Sequence, residues 1–367
     1  MQLVKIQRDA ILKPLQIVSG IVERRHTLPI LANILIKKEG NSIFFLSTDI
    51  EIQISTHADI GFGEESSVIT VAAKKMLDIL RALPETEISL TLKNKRISIQ
   101  YGKSRFALQT LPSDEFPTFI ESDKFDASIE LPQKNLKQLF DMVYFSMAHQ
   151  DIRYYLNGML LVIDGNKVIA VATDGHRLAF SQIEIKENHD HHEVIIPRKT
   201  ITELQRLLNY KDESVLLKIS SNQIKVNFDN IELLSKLVEG KFPDYNRVIP
   251  KPYKNKFSIK REFLLKSLQR IAIMTSDKFK GIRCMVSNGS LKISSQNAEQ
   301  EEAIEEIEID YSGEIVDIGF NVTYLLDVLN NLKIDVINIS LGDTNSSALI
   351  TLNDDTNFKY VVMPMRI

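Results

Sequence analysis

One pattern recurs three times along the chain, so whatever one copy folds into, the other two must fold into as well. The first copy opens on Ile11-Leu12-Lys13-Pro14-Leu15-Gln16-Ile17-Val18, passes an apolar run around Asn33 and a Gly40-Asn41 turn, and reaches Thr48-Asp49. The second opens on Leu136-Lys137-Gln138-Leu139-Phe140-Asp141-Met142-Val143 and passes Asn157, Gly165-Asn166 and Thr173-Asp174, each 124 or 125 residues beyond its counterpart. The third, Leu264-Leu265-Lys266-Ser267-Leu268-Gln269-Arg270-Ile271, leads through an Asn288-Gly289 turn to Gln296-Asn297. A second signature follows in each copy: Leu77 to Leu83, Ile201 to Leu207 and Leu326 to Leu332.

Both signatures place apolar residues three to four apart, the period of an amphipathic helix. The rest alternates with period two, as in Ile88-Ser89-Leu90-Thr91-Leu92, Val168-Ile169-Ala170-Val171 and Ile337-Asn338-Ile339. Short strands joined by Gly-Asn or Asn-Gly imply antiparallel hairpins. Each copy therefore reads as two helices packed on antiparallel sheets, an α+β domain used three times. Charged, turn-rich stretches at ESDKFD and PKPYKNK set the expected boundaries: domains 1–125, 126–253 and 254–367.

Cys284 is the only cysteine, which excludes disulfides within the chain and Cys-rich metal sites and suits a cytosolic setting. The opening residues hold neither an 18-residue apolar span nor a secretory h-region, so no membrane segment is expected.

The overall balance, 45 Lys+Arg against 48 Asp+Glu, argues against a plain basic nucleic-acid binder. Its distribution tells more. The six helical segments and their entries carry 18 basic and 7 acidic residues, leaving 27 basic and 41 acidic elsewhere. Long basic side chains solvating outer helix faces would explain this; so would a phosphate-facing surface that displaces counterions without reading sequence. No zinc-finger spacing, helix-turn-helix signature or aromatic stacking ladder indicates base readout. The acidic run AEQEEAIEEIEID at 298–310 and the basic pair of strands with Lys95, Arg96, Lys103 and Arg105 lie near opposite ends of the repeat series. Such complementary patches invite head-to-tail association, which closes into a ring if the rotation allows.

Several long segments now carry a resemblance: KPLQ and TLPIL (13–16, 27–31), FSMAHQDIRYYLNGML (145–160), ATDGHRLA (172–179), KLVEGKFPDYNRVIP (236–250) and YVVMPMRI (360–367). In this order, over the whole chain, they are similar to the bacterial sliding clamps, the beta subunits of the replicative DNA polymerase. The resemblance implies three tandem DNA-clamp domains closing as a ring-shaped homodimer, a cytoplasmic, non-catalytic processivity factor without a cofactor. Its implied partners are encircled double-stranded DNA, the polymerase catalytic subunit, an ATP-driven clamp loader, and other polymerases and repair proteins carrying clamp-binding peptides.

Residue by residue, the positions matching the family's DNA contacts are Arg25, Lys74, Gln150, Arg153, Tyr154, Tyr155, Arg198 and Lys199. Lys74 departs from the arginine typical there, which keeps the charge but loses the bidentate fork. The family's peptide cleft maps onto Leu156, Thr173, Gly175, His176, Arg177, Leu178, Pro243, Arg247, Val248, Tyr324, Val361, Val362, Met363, Pro364, Met365 and Arg366. Adaptable methionines suit a groove serving many partners; the alternative is that these residues only close the last strand against the core. At the ring joint the resemblance pairs Lys103, Arg105, Phe106 and Leu108 of one chain with Ile273, Met274, Glu301, Glu302, Glu305 and Glu306 of the other.

Two features tempt toward an enzyme. Thr173-Asp174-Gly175-His176-Arg177 sets a carboxylate beside an imidazole, but no GxSxG or Cys/His arrangement supplies a nucleophile. The repeat places Thr48-Asp49 at the same point without a histidine, so the aspartate is expected to serve a turn. His189-Asp190-His191-His192 lacks a spaced partner such as HExxH and is expected to be a solvated loop without a metal.

Overall fold

The computed structural model describes residues 2–22, 28–251, 253–276, 280–352 and 355–366. By contact density it divides into two compact units, one running to Leu136 and taking in Thr202–Leu237, the other Lys137–Ile201 with Val238 onward.

The signatures become helices at the expected places: α1 (Arg8–Val18), α2 (Ala73–Ala82), α3 (Gln133–Asp141), α4 (Arg198–Leu207), α6 (Arg261–Ala272) and α7 (Val322–Asn331). Between the last pairs lies a single turn, α5 (Tyr245–Val248), capped where the Asp244 carboxylate accepts from the Asn246 N–H. Burial follows the 3.6-residue period: Ile11, Leu12, Leu15 and Val18 of α1 and Met76, Leu77 and Leu80 of α2 face the first unit's core. Ser267 of α6 is buried among Leu264, Leu268 and Ile271.

The first unit is built on a twelve-stranded antiparallel sheet among the described residues. Its first-repeat part and second-repeat part meet where Ile52–Ala58 pairs with Ile231–Lys236, in register from Ile231 opposite Thr56 to Ser235 opposite Ile52. The second unit holds a six-stranded and a four-stranded sheet. There the start of the strand Arg177–Pro197 pairs with Asp355–Val362, from Arg177 opposite Val362 to Ser181 opposite Phe358. The repeat makes these two joints equivalent.

Their counterparts at the two ends of the series have no such neighbour among the described residues. Ser104–Leu111 pairs along its length with Arg96–Tyr101, but on its other side only Thr110 and Leu111 meet another strand. Glu302–Glu308 is the outermost strand of the four-stranded sheet and pairs only with Ser290–Gln296.

One expectation is corrected and one refined. Gly165-Asn166 lies inside the span Gly158–Thr173, but the pairing changes partner there: Gly158–Ile163 pairs with His192–Pro197 and Lys167–Thr173 with Leu178–Glu184. In the same way Asn33–Glu39 and Ser42–Thr48 pair with Ser67–Ala72 and Ile52–Ala58 on either side of Gly40-Asn41, and Gly165 shares the positive φ of Gly40, +57° against +56°. His189–His192 is not a loop: it lies within Arg177–Pro197, with Gly165 opposite His189 and Ile163 opposite His192, and the register shifts between those two pairs.

Cys284, on the strand Gly281–Ser287, is buried, and burial together with the charge of Asp317 pushes its thiol up to about 12. The thiolate is the reactive form. Iodoacetamide at pH 8 is therefore expected to leave Cys284 of the folded protein unmodified and to alkylate it fully in urea. Because the folded-state value is raised, stability should also fall as pH climbs above the ordinary thiol value of 9.0; rapid alkylation of the native protein would contradict the placement.

Candidate functional site

The second joint carries a cleft. Its turn, Thr173 to Arg177, is held by its own side chains: the Thr173 hydroxyl donates to the Arg177 carbonyl at 2.6 Å and accepts from the Gly175 N–H at 3.1 Å. The Asp174 carboxylate accepts from the N–H groups of His176 and Arg177 at 2.9 and 3.0 Å. The matching turn of the first repeat is built alike, with Thr48 bonded to Ile52 and Ile50, and Asp49 accepting from Glu51 and Ile52. The aspartate thus shapes the turn in both copies, and the enzyme reading of this motif loses its base.

Beside the turn lies an apolar cavity of about 210 Å³. Ten of the sequence-matched cleft residues line it: Leu156, Thr173, Gly175, His176, Arg177, Leu178, Pro243, Val248, Val361 and Met363. Its floor is the cluster of Leu160, Val171, Phe180, Ile195, Phe242, Leu349 and Val361, against which Tyr155, Tyr245, Val248 and Ile249 pack. Period two decides the strand's contribution. Val361 faces the cleft, whereas Val362 is fully buried and does not line it.

The other matched positions sit outside the lining. Tyr324 of α7 stacks on His176, ring centroids 6.4 Å apart at 16°. Arg247 is exposed on α5 and ion-pairs with Asp244 at 3.0 Å. Past Val362, the Met363 N–H donates to the His176 carbonyl at 2.9 Å and the Met365 N–H to the Gly319 carbonyl at 2.8 Å, which fixes Pro364 between them and leads to exposed Arg366.

Arg177 supports the cleft from within. Only 9% exposed, it reaches Asp327 of α7 at 2.5 Å, Asp174 at 3.1 Å, the Phe145 carbonyl at 2.8 Å and the Tyr324 ring at 4.6 Å. Burial opposes its charge, but Tyr360, Asp327 and Asp174 outweigh that and hold its pKa above the ordinary value. Sequence reasoning assigned Arg177 to the cleft and missed Asp327, which stands in the second helical signature with nothing to mark it.

Of the positions matched to DNA contacts, Arg25 lies outside the described residues and Lys74 is exposed in the first turn of α2. The rest sit in the second unit. Gln150 has a φ of +57° at the tip of the loop 149–154, where Tyr154 is 75% exposed. Arg198 opens α4 and donates to the carbonyls of Met147 and Ala148 at 3.0 and 3.4 Å, tying the helix to the start of that loop, with Lys199 next to it. Arg153 and Tyr155 differ from expectation in one respect: both line the cleft.

At the open edges, Lys103, Arg105 and Phe106 are exposed and Leu108 half-buried, while Ile273 is 78% and Ile304 53% exposed. Met274 follows in the turn after α6, where its N–H donates to the Ile271 carbonyl at 3.1 Å. Glu305 is already held by Arg270 of the same chain, at 2.6 and 2.7 Å, Glu306 accepts from Ser290 at 2.7 Å, and Glu301 from Asn297 at 2.6 Å. Glu302 begins the edge strand. No group of three or more His, Cys, Asp or Glu side chains that could hold a metal occurs among the described residues. No helix among them is long and apolar enough to cross a membrane.

A cleft with an apolar floor, a turn whose carboxylate is taken up by backbone N–H groups and Arg177, and sheets that end in open edges define a binding protein built from repeated clamp-type domains. Known proteins agree. Three family models match in succession: DNA polymerase III beta subunit, N-terminal domain, over residues 1–120, central domain over 130–244 and C-terminal domain over 246–366. The beta sliding clamp of Pseudomonas aeruginosa is 43% identical over 364 residues, covering 99% of both chains, and that of Escherichia coli K12 is 42% identical over 365 residues with the same coverage. The crystal structure of the DNA polymerase III subunit beta from Pseudomonas aeruginosa superposes with a TM-score of 0.95 at 43% identity, covering 100% of both chains. The chain belongs to the bacterial beta sliding clamp family, the DNA polymerase III beta subunits. It is a non-catalytic processivity subunit, with DNA and polymerase as partners.

Breaking a buried ion pair by removing one partner costs roughly 3 to 5 kcal/mol, less where the remaining partner can reach water. Asp327 is about one-third exposed, so Arg177→Ala should destabilise the second unit by about 3 kcal/mol. Urea unfolding followed by circular dichroism checks this, and a midpoint equal to wild type would refute the role.

Proposed function

We propose that two copies close head-to-tail into a ring around duplex DNA, and that the cleft tethers the partners that must stay with it. Those partners are the polymerase catalytic subunit, the ATP-driven clamp loader, and other polymerases and repair proteins carrying clamp-binding peptides, all in the bacterial cytoplasm. The observation that carries this reading is the pair of open strand edges. The joint used between repeats one and two, and again between two and three, needs one strand from each side; Glu302–Glu308 and Ser104–Leu111 are the two halves left over. Pairing them between two copies extends both sheets and closes these two edges.

At that joint Phe106 meets Ile273 and Ile304 in an apolar centre, with Lys103, Arg105 and Leu108 facing Met274, Glu301, Glu302 and Glu306. Exposed ion pairs contribute about 0 to 1 kcal/mol each, so the apolar contacts and strand pairing supply most of the hold. Glu305, engaged by Arg270, orients α6 against its own sheet and adds little across the joint.

The concentration of basic residues on the helical segments supports a phosphate-facing role for Arg25, Lys74, Arg153, Arg198 and Lys199, with Gln150, Tyr154 and Tyr155 adding hydrogen-bonding or stacking groups. Contact with phosphates carries no sequence information, which is what sliding requires. The cleft, adaptable at Met363 and Met365, suits short apolar peptides.

Protein loaded by its clamp loader onto a nicked plasmid circle should stay bound through gel filtration in 0.5 M salt and leave once the circle is linearised. Equal retention on circle and linear DNA would overturn the ring.

A further inference from the structure

Arg153 was matched to DNA by resemblance, yet it lines the peptide cleft, and the structure builds it a seat there. Asp151 forms the first part. Its carboxylate accepts from the Arg153 backbone N–H at 2.8 Å and from both Nε and Nη2 of the guanidinium, at 3.0 and 2.8 Å. Asp151 is itself fixed to the loop's far side, its N–H donating to Asn157 Oδ1 at 2.9 Å and its carbonyl accepting from Asn157 Nδ2 at 2.8 Å. The hydrogen bonds from Arg153 hold the Asp151 carboxyl down at about 2, so the clamp is fully ionised at neutral pH.

Gly175 forms the second part. A Cβ there would lie 3.1 Å from both terminal nitrogens of Arg153, and the Asp174 carbonyl accepts from Nη2 at 3.3 Å. Ile50 occupies the matching turn of the first repeat at a φ of +80°, against +89° for Gly175, a conformation that side chains rarely adopt. A side chain at 175 would meet that strain and, in addition, the guanidinium above it.

The seat is firm in geometry and weak in energy. The Arg153 side chain is 45% exposed and its partner 23%, so water screens the pair and its attraction is weak. A phosphate offers the same fork-to-oxygen geometry as Asp151, so it can take the guanidinium in exchange. The loop tip is also placed for such an exchange, since Gln150, Ile152 and Tyr154 are exposed on either side of Arg153.

Resting on the reading that this loop meets DNA and the cleft takes a peptide, we propose that Arg153 is shared between the two ligands, with Asp151 as the positioning residue that sets the balance. Held by Asp151, the guanidinium forms part of the cleft wall over Gly175. Drawn off by a DNA phosphate, it leaves that wall, and the cleft binds its peptide less tightly. Linkage requires the reverse effect to equal the forward one: peptide in the cleft weakens the DNA contact by the same factor.

The experiment is fluorescence anisotropy with a labelled clamp-binding peptide of the polymerase catalytic subunit, titrated with the full-length protein free and loaded on nicked plasmid circles. Three proteins are compared: wild type, Arg153→Gln and Asp151→Asn, all checked for folding by circular dichroism. In wild type, DNA should raise the peptide Kd about fivefold, the lower end of typical coupling. In Arg153→Gln the Kd should be the same on and off DNA. In Asp151→Asn the Kd off DNA should already approach the loaded wild-type value, a shift that a purely structural aspartate would not tie to DNA. The same ratio in wild type and Arg153→Gln, or a wild-type ratio of one, overturns the sharing while leaving ring and cleft intact. Failure of the peptide to bind wild type, or of the protein to stay on circles, overturns the underlying reading and this proposal with it.

Discussion

Everything else in this protein depends on one backbone interaction, an antiparallel strand from one repeat laid against the sheet edge of the next. An open edge presents a row of N–H and C=O groups that must find partners. In the first unit the Lys236 N–H donates to the Glu51 carbonyl at 2.9 Å; in the second, the Met363 N–H donates to the His176 carbonyl at 2.9 Å. The same bond appears at the same point of both joints although the side chains have nothing in common. Because the joint is made by main chain, the repeats could diverge in sequence and keep it.

That freedom explains how two equivalent joints acquired different surfaces. At the first, Gln53 accepts the Phe119 N–H at 3.0 Å, Lys236 lies 6.0 Å over the Phe119 ring, and Gln223 accepts from Ser122 and donates to the Ile120 carbonyl. The connecting segment is thus strapped down across the joint. At the second, Leu178 stands in place of Gln53, Met363 in place of Lys236 and Gly175 in place of Ile50. The connecting segment there turns away in the Asp244-capped α5, with Tyr245, Val248 and Ile249 packed on the apolar cluster and the cleft left open. Polar replacements close one joint; apolar and small ones open the other.

Much of this was legible in the sequence because periodicity and turn residues are local signals. The six helices follow the two signatures, and Thr173-Asp174 and Thr48-Asp49 both form the turn that the repeat implied. What escaped was set by tertiary geometry. His189–His192 looks like a solvated loop in sequence, yet it stays in the strand Arg177–Pro197 with Gly165 and Ile163 opposite its ends. Val361 and Val362 look equivalent in sequence, but the pleat sends one to the cleft and the other to the core. Arg153 reads as one more cation beside two tyrosines until the Asp151 clamp and the space over Gly175 show where its guanidinium rests, and Asp327 gains its meaning only by lying against Arg177.

The central claim is that the joint used twice within the chain is used a third time between chains. Amide hydrogen exchange measured by mass spectrometry at micromolar concentration reads it directly at residues 104–109 and 302–308. The account predicts slow exchange in both segments, as slow as in 52–56 and 177–181, and loss of that protection in both when the protein is diluted to monomer. Fast exchange at both edges in the undiluted protein would contradict it.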